Sequence, residues 1–144
     1  MTLKGDDVMI GAILVSDKQD IMLFSSGGKG IRFNLVDIRE TGRTSQGVIG
    51  IRLKEDQSVI SLLAVEDNEE LLFVTENGYG KRTSVAEFNR IGRGGQGVIA
   101  IITSPRNGDV ISVVKVADHD DFFLISHQGT IIRMHASGVS RVGR

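Results

Sequence analysis

The chain has 144 residues, 40% of them hydrophobic, which is enough for one core of ordinary size. It has no cysteine, which excludes disulfides and thiolate metal sites, and its eighteen glycines beside one proline and no tryptophan favour tight turns over long helices. Seventeen Lys and Arg against eighteen Asp and Glu leave a net charge of −1, which excludes a uniformly basic binder of nucleic acid.

The opening residues MTLKGDDVMI lack the charged-then-apolar pattern of a signal peptide, and no apolar run is long enough to span a bilayer. A cytoplasmic location is expected. From there the sequence repeats itself. Ile13 to Phe33 (ILVSDKQDIMLFSSGGKGIRF) lines up with Leu63 to Thr83 and with Val114 to Met134, at offsets of 50 and then 51. In the first unit an apolar run ending at Val15 predicts a strand, followed by the acidic turn SDKQD and a second strand over Ile21 to Phe24. Gly27-Gly28 then supplies a hairpin turn, a third strand carries Arg32, and Phe33 to Gly42 has room for a turn of helix. The phrase GRTSQGVIGI, Gly42 to Ile51, leaves the unit, with a fourth strand expected from Val48 to Leu53.

The second unit repeats this: a strand ending at Val65, the turn EDNEE, a strand over Leu71 to Val74, the turn Asn77-Gly78, a strand with Arg82, and GRGGQGVIAI from Gly92. Its fourth strand is expected from Val98 to Thr103. The third has Val116, the turn ADHDD, Phe122 to Ile125, Gln128-Gly129 and Arg133, and ends on VGR, where Arg144 matches Arg43 and Arg93. Gly47 and Gly97 are expected to meet a backbone need, with Gln46 and Gln96 bonding to the turn. Four short strands per unit is the count of a propeller blade. The expected fold is therefore all-β, a propeller-like disc of about three blades, with units near 8–58, 59–109 and 110–144. The last is cut short, as in a piece of a longer protein, and its open edges invite pairing between copies.

Charge is sorted by position within the repeat. Windows 29–43, 79–93 and 130–144 hold eleven Lys and Arg against three acids, a net charge of +8, while the rest of the chain carries −9. Since a repeating fold sets equivalent residues at equivalent heights, the cations should form a band. A cationic band suits the phosphate backbone of a nucleic acid; arginines that simply keep strand faces soluble would give the same pattern. Other motifs carry less. SSGGKG, Ser25 to Gly30, lacks both the earlier glycine and the Ser or Thr of a phosphate loop and reads as a hairpin turn. His119, His127 and His135 are read as surface histidines rather than metal ligands. No catalytic constellation and no cofactor site is legible.

The phrases GRTSQGVIGIRL, ENGYGKRT, EFNR, GRGGQGVIAI and SRVGR, at this spacing, resemble the C-terminal domain of the DNA gyrase A subunit over essentially the whole chain. Topoisomerase IV has a related domain, but the wording of ENGYGKRT and GRGGQGVIAI is nearer to gyrase. The resemblance implies a β-pinwheel, whose four-stranded blades exchange a strand with a neighbour and whose basic perimeter wraps duplex DNA. Carried over by position, the DNA-binding residues are Lys29, Arg32, Arg43, Lys81, Arg82, Arg93, Arg133, Arg141 and Arg144. The implied partners are duplex DNA, contacted through phosphates, and the remainder of gyrase A with gyrase B in a bacterial, nucleoid-associated enzyme. Of the family's gyrase box only Gly27-Gly28-Lys29-Gly30 agrees, and the family's catalytic tyrosine, metal and ATPase regions have no match here. A protein-interaction propeller is the alternative from another class.

Overall fold

The computed structural model describes residues 1–144. Nine strands form: β1 (Asp20–Ser25), β2 (Lys29–Asn34), β3 (Val59–Val65), β4 (Glu70–Thr75), β5 (Gly80–Ser84), β6 (Val98–Ile99), β7 (Val110–Val116), β8 (Asp121–Ile125) and β9 (Ile131–His135). Each unit supplies one antiparallel hairpin, β1-β2, β4-β5 or β8-β9. Gly28, Gly78 and Gly129 take positive φ at the three turns, a conformation open to glycine because it has no Cβ.

The hairpins do not keep their own first strands. β3, which opens the second unit, pairs with β1 of the first, and β7, which opens the third, pairs with β4 of the second. Both ladders carry the same irregularity, between Phe24 and Ser25 and between Val74 and Thr75. β6, from the end of the second unit, closes the other edge of the first sheet against β2. The sheets are thus β3-β1-β2-β6, β5-β4-β7 and β8-β9. This is the all-β architecture that the repeat leads one to expect, with the strand exchange that the resemblance implies, and four strands are reached in the first sheet.

Alternation along the strands buries both faces of the first sheet. Met22 and Phe24 point into a core shared with Leu71, Phe73, Phe88 and Val113 of the next layer. Phe24 meets Phe73 edge to face at 5.3 Å between centroids. Ile21, Ile31 and Phe33 point the other way and pack with Ile51. A smaller cluster of Leu72, Val116 and Ala136 joins the second and third layers.

Two expected strands are not formed. Ile13 to Val15 joins no ladder, since its counterparts β3 and β7 each pair with the hairpin of a preceding unit. Val48 to Leu53 makes isolated bonds instead: Gly94 N–H donates to the Gly50 carbonyl at 2.6 Å and Arg52 N–H to that of Gly95 at 2.8 Å. The expected Val98 to Thr103 strand shortens to Val98–Ile99, because the next two amides, of Ala100 and Ile101, both turn to the Gly28 carbonyl. The helical turn after each hairpin is a single 3-10 turn, at Leu35–Asp37, Val85–Glu87 and Ala136–Gly138. Asn34, Ser84 and His135 cap these turns, each accepting from the N–H two residues on.

Gly47 and Gly97 do have positive φ, but their surroundings differ. A Cβ at Gly97 would lie 2.5 Å from the Gly30 carbonyl oxygen, whereas one at Gly47 would meet only the Met1 Cε at 3.4 Å. Gly97→Ala is therefore expected to cost more than the ~1–2 kcal/mol of the left-handed backbone alone, and Gly47→Ala no more than that. Urea midpoints of the two variants check the order. Gln96, expected to bond to its own turn, instead accepts from Lys29 Nζ at 3.5 Å.

Candidate nucleic-acid interface

The repeated arginine on the second strand of each hairpin follows an acid on the first by twelve residues, as Asp20 and Arg32, Glu70 and Arg82, Asp121 and Arg133. Antiparallel pairing brings these residues diagonally together on one face. Arg32 is 4% exposed. Its Nε donates to Asp20 at 2.8 Å, its Nη2 to Asp67 at 2.6 Å, and its Nη1 to the carbonyls of Val85 and Phe88. Arg82, 5% exposed, repeats the arrangement with Glu70, Asp118 and the Val139 carbonyl. In each case one acid is the hairpin's own and the other sits in the acidic turn of the following unit. Each group is a clip between units.

A second, exposed arginine completes each clip: Arg90 on Asp20 at 2.6 Å, and Arg141 on both Glu70 and Asp118. Two cations and two anions make each clip neutral. The hydrogen bond from Arg32 holds the Asp67 carboxyl below its ordinary value, and that from Arg82 does the same for Asp118. The hydrogen bonds to Asp20 and Glu70 hold Arg90 and Arg141 more firmly protonated.

The nine residues assigned to DNA by position thus separate. Arg32 and Arg82 are corrected: their guanidiniums lie inside the protein, saturated by carboxylates and carbonyls, and present nothing to a phosphate. Arg141 is exposed but engaged in a clip. Arg133 is exposed and pairs with Asp121 alone. The other five lie on, or lean toward, the loops that bear the GR phrases. Arg93 donates to the carbonyls of Asp37 and Ile49, tying the loop of the second unit to that of the first. Lys29 reaches the second loop at Gln96, and Lys81 reaches the third at the Gly143 carbonyl, 2.8 Å away. Partial burial beside Phe73 pushes the Lys81 ammonium down from its ordinary value. The guanidiniums of Arg43 and Arg144 face solvent and make no bond within the chain; so does that of Arg39, which the positional reading passed over although its charge window contained it.

Successive hairpin sheets, the first two finished by strands from the following unit, define a strand-exchanged propeller module with cation-bearing loops. The chain belongs to the family described as DNA gyrase C-terminal domain, beta-propeller, which matches residues 19–66, 69–117 and 120–144. The DNA gyrase A protein of Klebsiella oxytoca is 44% identical over 144 residues, all of this chain and 16% of that protein. That of Pseudomonas aeruginosa is also 44% identical, with the same coverage. The chain therefore spans about a sixth of the curated relatives it matches. A solved gyrase A C-terminal domain superposes with a TM-score of 0.79 at 31% identity, over 91% of this chain and 49% of that one. The C-terminal domain of DNA topoisomerase IV shares the fold, with a TM-score of 0.82 at 21% identity over 89% of this chain and 40% of that one. No helix is long and apolar enough to cross a membrane.

Proposed function

We propose that this chain is a DNA-wrapping module of the gyrase A protein, comprising units near 8–58, 59–109 and 110–144. It holds duplex DNA through the phosphate backbone. The observation that carries this reading is the division among the arginines: Arg32 and Arg82 of the first two hairpins are consumed in neutral clips, while Arg43, Arg93 and Arg144 of the loops remain free or half-engaged. The contacts are Arg43, Arg93 and Arg144 with Arg39, supported by Lys29 and Lys81 and flanked by Arg133 and Arg141. Contacts of this kind read no base sequence. They suit a bent duplex, since bending a site costs on the order of several kcal/mol and many distributed phosphate contacts can offset it.

The module carries out no chemistry of its own. Cleavage, ATP hydrolysis and the supercoiling they drive belong to the remainder of gyrase A and to gyrase B, in the bacterial cytoplasm. Titration of an unrelated-sequence duplex across a salt series tests the reading. With four or five phosphates engaged, log K is expected to fall against log salt with a slope of about −4, roughly a 250-fold loss between 50 and 200 mM. A flat response, or retention of a protein partner but no duplex at low salt, overturns it in favour of a protein-interaction propeller.

A further inference from the structure

The residue after the turn glycine differs among the three hairpins: Lys29 follows Gly28, Tyr79 follows Gly78 and Thr130 follows Gly129. In the first unit this position supplies an ammonium to the cationic loops, Lys29 reaching Gln96 of the second. In the second unit it supplies an aromatic ring, and a cation comes to the ring from another segment. Arg106, on the loop between β6 and β7, sets its guanidinium over Tyr79, 5.0 Å from the ring centroid, and its Nε donates to Tyr79 Oη at 2.9 Å. We propose that Arg106, positioned by Tyr79, contacts a DNA phosphate and stands in for the lysine that the second hairpin lacks; this rests on the reading of the chain as a DNA-wrapping module.

The loop that carries Arg106 is tied down on both sides of it. Asn77 of the hairpin turn donates from Nδ2 to the Arg106 carbonyl at 3.0 Å and to that of Pro105 at 3.3 Å. The Asn77 N–H donates to the Asn107 carbonyl, and the Asp109 N–H to Glu76 Oε2. Within the loop, the Gly108 N–H donates to the Ser104 carbonyl at 2.8 Å and Asn107 Nδ2 to that of Ile102 at 3.0 Å. Pro105 fixes φ immediately before the arginine. Ring and hydroxyl together order a side chain that would otherwise lose its rotamer freedom on meeting a phosphate. A guanidinium bonded through Nε alone also keeps both Nη groups for a bidentate pair with phosphate oxygens.

The first unit has the complementary arrangement. Its corresponding loop, Arg52 to Ser58, turns at Glu55 and Asp56, whereas the loop of the second unit, one residue longer, turns at Pro105 to Asn107. In the first unit the cation is on the hairpin and acids are at the loop tip; in the second the hairpin position is uncharged and the loop tip is cationic. Each of these units therefore offers one cation beside its turn. Arg106 is exposed and engaged with Tyr79 rather than with a carboxylate, in contrast to Arg32 and Arg82. It lies outside windows 29–43, 79–93 and 130–144, so a count of charge by repeat position passes over it.

Titration of one duplex against the unaltered protein and three variants, across a salt series, tests the assignment. R106A is expected to lower affinity about tenfold at 0.1 M salt and to reduce the salt slope by about 1. Y79L removes no charge, yet should weaken binding about threefold, because the guanidinium is no longer held over a ring. Y79K/R106A, which moves the cation to the place it has in the first unit, should recover most of the affinity and the full slope. A steep salt response that R106A leaves unchanged overturns the proposal alone, as does a Y79K/R106A protein no tighter than R106A or a Y79L protein that binds like the unaltered one. A flat response of the unaltered protein overturns the DNA reading itself and this assignment with it. If Y79L loses its native circular dichroism, R106A and Y79K/R106A decide.

Discussion

Arg32→Met is expected to destabilise the protein by about 3 kcal/mol, because it leaves the carboxylate of Asp20, itself 2% exposed, with the exposed Arg90 as its one remaining cation and leaves two carbonyls without their donor. Arg133→Met changes the same repeat position yet should cost less than about 1 kcal/mol, since that pair is exposed and solvent already serves it. Urea unfolding of both variants measures the contrast, and equal costs would mean that the clips do not hold the units together. The clips also predict acid sensitivity. The Asp67 and Asp118 carboxyls titrate below their ordinary 3.8 in the folded protein, so their stabilisation is present above that value. It is lost as pH falls through the depressed folded values. Urea midpoints should accordingly drop below about pH 4, and Arg32→Met should flatten part of that drop.

Reversing Arg43 and Arg93 together, as R43E/R93E, is expected to lower duplex affinity about a hundredfold at 0.1 M salt and to reduce the salt slope by about 2. The loss should be the same for duplexes of unrelated sequence. The two positions differ in what else they do, and this separates binding from folding. Arg43 is free, whereas Arg93 also donates to the Asp37 and Ile49 carbonyls. R43E alone should leave the urea midpoint unchanged while weakening binding, and R93E should affect both. A loss confined to particular base sequences would contradict recognition through phosphates.

The hairpins were legible in the sequence because their signals are local: a glycine two residues wide at each turn, apolar alternation on either side, and offsets of 50 and 51 that confirm each by the others. Strand partnership was not. Residues 59–65 read equally well as the first strand of their own unit or as the last strand of the one before, since nothing in a period of fifty says which neighbour pairs with which. The site was misread at Arg32 and Arg82 for a related reason. A count of charges over a window treats every arginine as surface, yet the acid placed twelve residues earlier in each unit is the signature of a diagonal cross-strand pair. The second acid of each clip lies in the next unit, and so could be assigned only once the stacking of the layers was known. Gln96 shows the same limit, since its partner Lys29 is 67 residues away.

The closing of the first sheet by β6 sets a schedule for the growing polypeptide. Ile99, which pairs with Lys29, leaves the ribosome about seventy residues after it, roughly 4 to 14 seconds at ordinary rates of translation. Through that interval the β2 edge of the newborn chain has no partner, and its unpaired amides and carbonyls are open to any other strand in the cell. The period at which the nascent chain most needs chaperone cover is thus fixed by how far downstream its closing strand is encoded.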